Sequence, residues 1–567
     1  MQKKTSLFSN FIVKSAIKLQ HKQGIGGLFL KNNKQTFMQG VMILMASQIL
    51  IKIVGLVYKI YLTNKQGFGD TGNAIFSAGF QIYTLFLAIS SIGVPNAISQ
   101  MISSKVAVGD NKGAYRIFKV AIFIFGLIGF IGTAILFFYA KVIANEYLGI
   151  PESEFTIMAL APSVFIVAVL SVLRGYFNGR EKINITANSQ SLEQVFKTIL
   201  TIIFVEAFDR ISENNTSVMV SGAAIASTAA TFFSFAYLYV LYIKNKREIW
   251  KEVVSSSDSN RERIGKIAKN ILELTIPIAL TSLLAAANKS IDAFTVVNTI
   301  SRFMAPEEAK FQYGILSGKV EGLIILPYSF NIAFAISLIP SISAAKAKNE
   351  MDKANKRIKF SILATILISL PCTAFFLVFA EPILKLLFPN AYLGKDMLKL
   401  SALSITFVAI TQTIGGVLQG LKRVKEPAIA IGIGVIIKFI FNLILLPIQS
   451  LGINGAIISS IISNMFVFAI SYCYLIKYTG LKITAIKFVV KPLIATFIMT
   501  FCAWNIYEKL PILESSNLKL IFSFLIGGII YIISIFILKI LSKEEIYMLP
   551  FGNKVYKAKR PKNQKNS

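Results

Sequence analysis

The sequence predicts an all-α protein that crosses a membrane many times. The 567-residue chain is 54% hydrophobic, its mean hydropathy is +0.65, and its apolar residues fall in long runs. A helix of ~20 mostly apolar residues can span a bilayer, so each run of that length is a candidate transmembrane helix. We therefore expect an integral membrane protein rather than a soluble enzyme.

About fourteen runs reach that length. In chain order they cover residues 38–62, 74–101, 116–140, 155–177, 187–208, 217–242, 271–297, 313–340, 358–380, 398–419, 427–448, 452–475, 485–507 and 517–540. Each is justified by its length and apolar character, and its boundaries are accurate to a few residues.

The connections between these runs alternate in charge. The net charge is +31, and lysine-rich segments such as 105–119 and 244–269 alternate with acidic ones such as 146–154 and 508–514. The positive-inside rule places the lysine-rich segments, and with them both termini, in the cytoplasm. The basic excess is therefore a topology signal and an attraction to anionic membrane lipids, and we expect no nucleic-acid partner.

An internal repeat is predicted from three matches at one offset. Residues of the same type recur 245 positions apart at Tyr83 and Tyr328, Pro95 and Pro340, and Gly175 and Gly420. The repeat covers six spans, an even number, so its two copies run in parallel and a substrate site is expected where they meet.

The repeat divides the chain into two six-helix lobes and two C-terminal helices. The predicted regions are a basic cytoplasmic N-terminus (1–35), an N-lobe (36–243), a cytoplasmic linker (244–270), a C-lobe (271–476), two further spans (485–541) and a basic cytoplasmic tail (542–567).

No catalytic site, metal site or cofactor is predicted. His21 is the only histidine and lies in the N-terminal segment, and the three cysteines (Cys372, Cys473 and Cys502) fall in apolar runs. The chain also lacks a G-x-x-x-x-G-K-[ST] phosphate loop, which argues against ATP hydrolysis.

Ionisable residues inside the spans are the candidate functional residues, because such residues are costly and normally face a bundle interior or a water-filled path. Lys52 and Lys59 lie in the first span, seven residues or nearly two helical turns apart, so they share a face. Two ammonium groups on one face predict a cavity for an anionic ligand. The alternative is that either lysine extends to the lipid headgroups.

Two further pairs are assigned to substrate binding. Lys289 and Asp292 lie three apart in the seventh span, where they could form a structural ion pair or line the cavity. We favour the cavity, because this span is the repeat partner of the first. Lys319 and Glu321 open the eighth span on differing faces, so one could line the cavity while the other reaches the interface.

Other charged residues are assigned gate or structural roles. Glu193 and Lys197 lie four apart in the fifth span and are expected to form a neutral brace between helices. Lys438, with Asn442, has a comparable place in the eleventh span. Arg174 closes the fourth span and is expected to cap that helix or hold a cytoplasmic gate.

Four short segments carry a family resemblance: Gly55–Ile60, Ser91–Ser99, Leu173–Gly179 and Tyr313–Gly318. They resemble the multidrug/oligosaccharidyl-lipid/polysaccharide (MOP) exporter superfamily, and within it the polysaccharide-biosynthesis or stage V sporulation protein B-like branch, which is related to lipid II flippases. The resemblance covers about residues 36–545.

The resemblance implies a V-shaped cavity between two lobes, alternating access, and export of an undecaprenyl-pyrophosphate-linked saccharide across the bacterial plasma membrane. It also implies two extra C-terminal helices that form a groove for the lipid tail, and cavity cations that are mainly arginines. Lys52 falls where one arginine is expected, and Lys59 lies one position past another. The paired arginines of the second span have no counterpart, since Leu87 and its neighbours are apolar. We expect a monomer, with a coupling ion left open.

Two rival functions remain open. A cation-coupled multidrug exporter of the same superfamily should present acidic residues in its first lobe, but the first three spans contain no internal Asp or Glu. A membrane polyprenyl-phosphate sugar transferase would need closely spaced acidic residues that bind metal at the membrane surface, and none is evident.

Overall fold

The computed structural model describes residues 37–90, 93–212, 215–256, 262–347, 350–481, 483–509, 516–542 and 545–546. Every regular element in these ranges is helical, which confirms the all-α prediction. The predicted N-terminal segment, nearly all of the predicted tail and the serine-rich middle of the linker lie outside the described residues.

The N-lobe contains seven helices. They are α1 (Phe37–Asn64), α2 (Gly69–Ser90), α3 (Val94–Ala107), α4 (Asn111–Phe138), α5 (Glu154–Gly179), α6 (Ile183–Ser212) and α7 (Thr216–Ser255). Three short turns, Ala140–Val142, Ile143–Tyr147 and Pro151–Ser153, connect α4 to α5.

The C-lobe begins with α8 and includes a segment of π-helix. Its elements are α8 (Ile264–Ile300), α9 (Pro306–Gly314), the π-helix Ile315–Val320, α10 (Glu321–Ala347), α11 (Met351–Leu387), α12 (Lys395–Ala402), α13 (Ser404–Gly420), α14 (Lys425–Leu445) and α15 (Asn454–Thr479). A further π-helix, Ile486–Val490, leads into α16 (Lys491–Lys509), which is followed by α17 (Ser516–Ile537).

Eleven helical segments in the described part of the chain are long and apolar enough to cross a membrane. The helices of the other three predicted spans, α1, α6 and α10, are not among these eleven. All three carry ionisable residues. The fourteen predicted runs all fold as helices, but the count of fourteen membrane crossings stays a prediction.

Two of the interruptions that the sequence pattern missed lie in the second and eighth predicted spans. The second predicted span is divided into α2 and α3, and Pro95 lies in the first turn of α3, where its missing N–H is tolerated. The eighth predicted span contains the π-helix Ile315–Val320. Hydropathy cannot reveal either feature, because both keep the apolar character of the run.

The repeated glycines make equivalent contacts in the two lobes. A Cβ atom added to Gly175 of α5 would lie 2.8 Å from Ile98 Cβ and 3.0 Å from the Pro95 carbonyl oxygen, both of α3. A Cβ added to Gly420 of α13 would lie 3.0 Å from both Ile342 Cβ and the Ile339 carbonyl oxygen of α10. Both glycines therefore permit close helix packing of the kind common in membranes.

The lobes meet mainly through α2, which packs against α8, α9 and the π-helix Ile315–Val320, while α1 packs against α10. The α16–α17 pair packs together against α11, and Tyr531 of α17 donates a hydrogen bond to the Leu367 carbonyl at 2.9 Å. The two C-terminal helices therefore attach to the C-lobe.

Two glycines of the same helix provide a test of the packing. Gly420→Ala should destabilise the protein by about 1–3 kcal/mol, because its Cβ would displace Ile342. Gly415→Ala, also in α13, meets no atom within 4 Å and should be neutral or stabilising. Thermal unfolding in detergent measures both, and equal midpoints for the two variants would contradict this packing.

Candidate functional site

Four lysines from the two lobes lie within electrostatic range of one another, and we call them the lysine cluster: Lys52, Lys59, Lys197 and Lys289. The charges of Lys289 and Lys197 both act on Lys52, and both act on Lys59. Lys289 belongs to α8 of the C-lobe, whereas the other three belong to α1 and α6 of the N-lobe. The cluster therefore spans the space between the lobes.

The ammonium groups of Lys52 and Lys289 have no hydrogen-bond or ion-pair partner among the described residues. Lys289 is exposed and Lys52 is half-buried. An ammonium group without a protein partner needs water or an anion, because transfer into an apolar medium is very unfavourable. These two lysines are therefore free to receive an anionic ligand.

Lys197 joins the cluster through its aromatic surroundings. Its Nζ lies 4.6 Å from the ring centroid of Phe80, 5.6 Å from that of Tyr58 and 5.9 Å from that of Phe76. These distances are typical of cation–π contacts, which stabilise the ammonium group without neutralising its charge. The sequence analysis missed this role because Glu193, four residues away, offered a local partner.

Glu193 is paired with Arg174 instead of Lys197, so the expected Glu193–Lys197 brace is corrected. The Arg174 guanidinium contacts Glu193 Oε2 at 2.7 Å and donates to the hydroxyls of Ser189 and Ser234 at 3.0 and 3.2 Å. Arg174 thereby joins α5 to α6 and α7. It does not cap α5, which ends five residues later at Gly179 and has Arg180 as its C-cap residue.

Lys59 of the N-lobe forms hydrogen bonds with the C-lobe. Its Nζ donates hydrogen bonds to the carbonyl oxygens of Ser317 and Gly318, at 3.2 and 3.1 Å. Both acceptors belong to the π-helix Ile315–Val320. Glu321, which follows this π-helix, is half-buried and acts electrostatically on Lys59. The predicted binding role of Lys59 and Glu321 stays a prediction.

Lys319 forms a buried ion pair and does not line an open cavity, which differs from the substrate-binding role predicted for it. Its Nζ is 2.8 Å from Asp70 Oδ2 and 2.6 Å from the Ala391 carbonyl oxygen. The side chains of Lys319 and Asp70 are 0% and 2% exposed. Because Asp70 begins α2 and Lys319 belongs to the C-lobe, this contact ties the lobes together. We call Lys319, Asp70 and Ala391 the latch.

A second contact between the lobes lies near the latch. Lys310 of α9 pairs with Glu152 of the N-lobe at 2.7 Å and with Glu307 of its own helix at 2.8 Å. Burial alone would lower the pKa of Lys310, but the hydrogen bonds to the two carboxylates outweigh it and raise the pKa. Lys310 therefore stays protonated and keeps its contact with the N-lobe.

An open cleft of about 780 Å³ lies over the latch, and Asp70 and Ala391 are among its lining residues. The cleft is also lined by Gln66 and Leu393, from opposite lobes. No member of the lysine cluster lines it. The cleft and the lysine cluster therefore share no residue.

Asp292 is paired within the C-lobe, which corrects its predicted place in the binding cavity. Its carboxylate accepts a hydrogen bond from Lys438 Nζ at 2.6 Å and from Asn442 Nδ2 at 3.0 Å. Lys438 also donates to the Asn288 carbonyl oxygen at 2.7 Å. This buried network joins α8 to α14 and leaves Lys289, the other member of the predicted pair, without Asp292 as its partner.

The described residues contain no group of three or more His, Cys, Asp or Glu side chains that could hold a metal ion. The charged groups in this part of the chain thus form two kinds of arrangement. Buried ion pairs hold helices together, and the lysine cluster carries positive charge that is not neutralised by an adjacent ion pair.

Removing one partner of the latch should be strongly destabilising. Lys319→Met leaves Asp70 buried without a counter-charge, which typically costs about 3–5 kcal/mol. The control Lys385→Met breaks an exposed pair with Glu381, whose members are 54% and 40% exposed, and should cost less than about 1 kcal/mol.

Thermal unfolding in detergent measures both effects. Adding Asp70→Asn to Lys319→Met should recover part of the stability, because no unpaired charge then remains. An Lys319 variant as stable as the Lys385 control would show that the latch is not buried in the folded protein.

The comparisons with known proteins agree with the helical architecture. A family model described as "Polysaccharide biosynthesis protein" matches residues 37–346, and a MatE model matches residues 319–444. Two solved structures share the fold. The lipid II flippase MurJ in an inward closed conformation aligns with a TM-score of 0.64 at 18% identity, covering 87% of this chain and 98% of that chain.

An inward-facing multidrug resistance MATE family transporter of the MOP superfamily aligns with a TM-score of 0.63 at 16% identity. It covers 78% of this chain and 98% of that chain. At these identities the likeness concerns the fold.

Curated relatives from Bacillus subtilis match most of the chain. Stage V sporulation protein B is 23% identical over 91% of this chain and 98% of its own length. The uncharacterized membrane protein YabM is 26% identical over 93% and 97%. The lipid II flippase MurJ is 24% identical over 75% and 79%.

The family model and the match to stage V sporulation protein B confirm the predicted resemblance to the polysaccharide-biosynthesis or stage V sporulation protein B-like branch. The family model alone spans more than half of the 567 residues. The chain therefore belongs to the polysaccharide biosynthesis protein family.

Proposed function

We propose that the protein is a flippase that moves a polyprenyl-pyrophosphate-linked saccharide, such as lipid II, from the inner to the outer leaflet of a bacterial cell membrane. The observation that carries this proposal is the lysine cluster, in which Lys52 and Lys289 have no acidic or hydrogen-bonding partner among the described residues. The relative that is named a lipid II flippase supports the same substrate class.

The proposed cargo needs the chemistry that this cluster offers. A pyrophosphate cannot cross ~30 Å of hydrocarbon unaided, because an unpaired charge is strongly disfavoured there. Several ammonium groups close together repel one another, and a multiply charged anion between them relieves that repulsion. Lysine is a compact point charge that needs no fixed bidentate geometry, so it can hold and then release a moving phosphate.

Alternating access fits the position of the latch. With both termini in the cytoplasm, as the charge pattern predicts, α1 begins inside and ends outside at Asn64. The latch would then be the external gate, and the lysine cluster would receive its ligand from the cytoplasmic side. The polyprenyl tail would remain in the lipid during the passage of the headgroup, with the α16–α17 pair as its expected groove. We propose that a monomer suffices.

The rival multidrug exporter is disfavoured by the sign of the charge between the lobes. A site for organic cations should present carboxylates, whereas four ammonium groups lie here together with the carboxylate of Glu321. Asp70, Asp292 and Glu193, which could serve such a site, are already engaged by Lys319, Lys438 and Arg174.

Neutralising a free lysine of the cluster should impair transport without unfolding the protein. Lys52→Gln and Lys289→Gln should each reduce the rate at limiting substrate about tenfold or more, because a charged hydrogen bond contributes about 1.5–3 kcal/mol. Lys52→Arg should retain most of the rate because it keeps the positive charge.

Transport is measured as the appearance of lipid-linked saccharide at the outer face after depletion of the wild-type protein, in cells without another flippase. Lys385→Gln, which removes an exposed lysine far from the cluster in sequence, is the matched control and should transport normally. Normal transport by both Lys52→Gln and Lys289→Gln at wild-type expression would refute the proposed site.

A further inference from the structure

Two lysines join the π-helix Ile315–Val320 to the N-lobe, one from each side. Lys59 of the N-lobe donates to two carbonyls of this π-helix, and Lys319 of the π-helix pairs with Asp70 of the N-lobe. A π-helix inserts an extra residue into the turn, and such segments are frequent at functional sites. Here the Glu321 N–H bonds to the Leu316 carbonyl, five residues earlier.

Three glycines allow the N-lobe to approach this segment closely. Gly314, Gly318 and Gly322 are spaced four residues apart. A Cβ atom on Gly314 would overlap the Asp70 carbonyl oxygen, and one on Gly318 would lie 2.6 Å from Asn73 Cγ. At Gly322 it would lie 3.2 Å from Lys59 Cδ. The glycines thus fit the π-helix against α2 and the Lys59 side chain.

Lys59 differs from the other cluster lysines because it already serves the contact between the lobes. Its ammonium has three N–H donors, and two of them reach the carbonyls of Ser317 and Gly318. Lys52 and Lys289 have no such acceptors in the described part of the chain, and Lys197 lies over aromatic rings. Among the four cluster lysines in the described part of the chain, Lys59 is therefore the one that would give up hydrogen bonds to the other lobe in order to bind a ligand.

We propose that Lys59 couples the binding of an anion in the lysine cluster to the separation of the two lobes at the latch. This inference rests on the proposed function, because it requires an anionic phosphate in the cluster. A phosphate oxygen is a stronger acceptor for an ammonium group than a neutral carbonyl, since charge-assisted hydrogen bonds are roughly twice as strong. A bound pyrophosphate therefore draws Lys59 away from the π-helix.

The consequence for the lobes follows from hydrogen-bond energetics. Once Lys59 leaves, the two hydrogen bonds that it donates across the lobe interface to the Ser317 and Gly318 carbonyls are lost. The lobes are then held by their remaining contacts, among them the latch and the Lys310–Glu152 pair. Loading of the substrate from one side thus favours opening at the other side. By reciprocity, closed lobes hold Lys59 back and weaken anion binding.

The test measures the distance between the lobes at the cleft. Cysteines replace Gln66 and Leu393, which line the cleft from opposite lobes, after Cys372, Cys473 and Cys502 have been changed to serine. Spin labels at the two positions report the distance distribution in nanodiscs, with and without undecaprenyl pyrophosphate. Retention of radiolabelled undecaprenyl pyrophosphate measures its binding separately.

We expect undecaprenyl pyrophosphate to shift the labelled parent protein towards longer distances. Lys59→Gln should show longer distances already without the ligand, and the ligand should shift them further only slightly. Lys289→Gln is the matched control, since it removes a cluster lysine whose ammonium bonds to no group of the other lobe among the described residues. It should keep the ligand-free distribution of the parent and need about tenfold more ligand for the same shift.

The coupling role is overturned if Lys59→Gln matches the parent both without and with the ligand while binding is intact. It is also overturned if the ligand binds the parent but leaves its distances unchanged. Absence of any binding to the parent would instead refute the proposed function, and with it this inference. If Lys59→Gln does not fold, Gly322→Ala displaces Lys59 without removing its charge and should lengthen the ligand-free distances.

Discussion

Every charged side chain inside a membrane bundle needs a counter-charge, a hydrogen-bonding partner or access to water, because an isolated charge in hydrocarbon is very costly. In this protein the requirement is met in two ways. Arg174, Lys319 and Lys438 each pair with a carboxylate on another helix. Lys52 and Lys289 have no such partner among the described residues, and this contrast separates residues that hold the helices together from the residues that we propose bind a ligand.

The three buried pairs act at different levels of the architecture. Arg174 stabilises the N-lobe and Lys438 stabilises the C-lobe, whereas Lys319 joins one lobe to the other. Breaking and reforming a contact between lobes is compatible with a transport cycle, while the pairs within each lobe can persist throughout it. Lys59 of the N-lobe also contacts the π-helix that carries Lys319. This short segment therefore makes two of the contacts between the lobes that would change during transport.

The sequence was sufficient to locate the helices. Apolar runs located all fourteen helical regions, and the cost of a buried charge drew attention to Lys52, Lys59 and Lys289, whose binding role stays a prediction. The pairing of charges was harder to predict, because it depends on contacts between distant segments. Lys438 and Asp292 are 146 residues apart, and Lys319 and Asp70 are 249 apart. Local spacing favoured Glu193–Lys197 and so concealed the place of Lys197 in the cluster.

The most direct measurement is a cryo-electron microscopy structure of the protein in nanodiscs with an undecaprenyl-pyrophosphate-linked saccharide bound. The account predicts density for the two phosphates among the ammonium groups of Lys52, Lys59, Lys197 and Lys289, with the saccharide in the space between the lobes. Phosphate density outside that space, with the lysine cluster occupied by water alone, would contradict it.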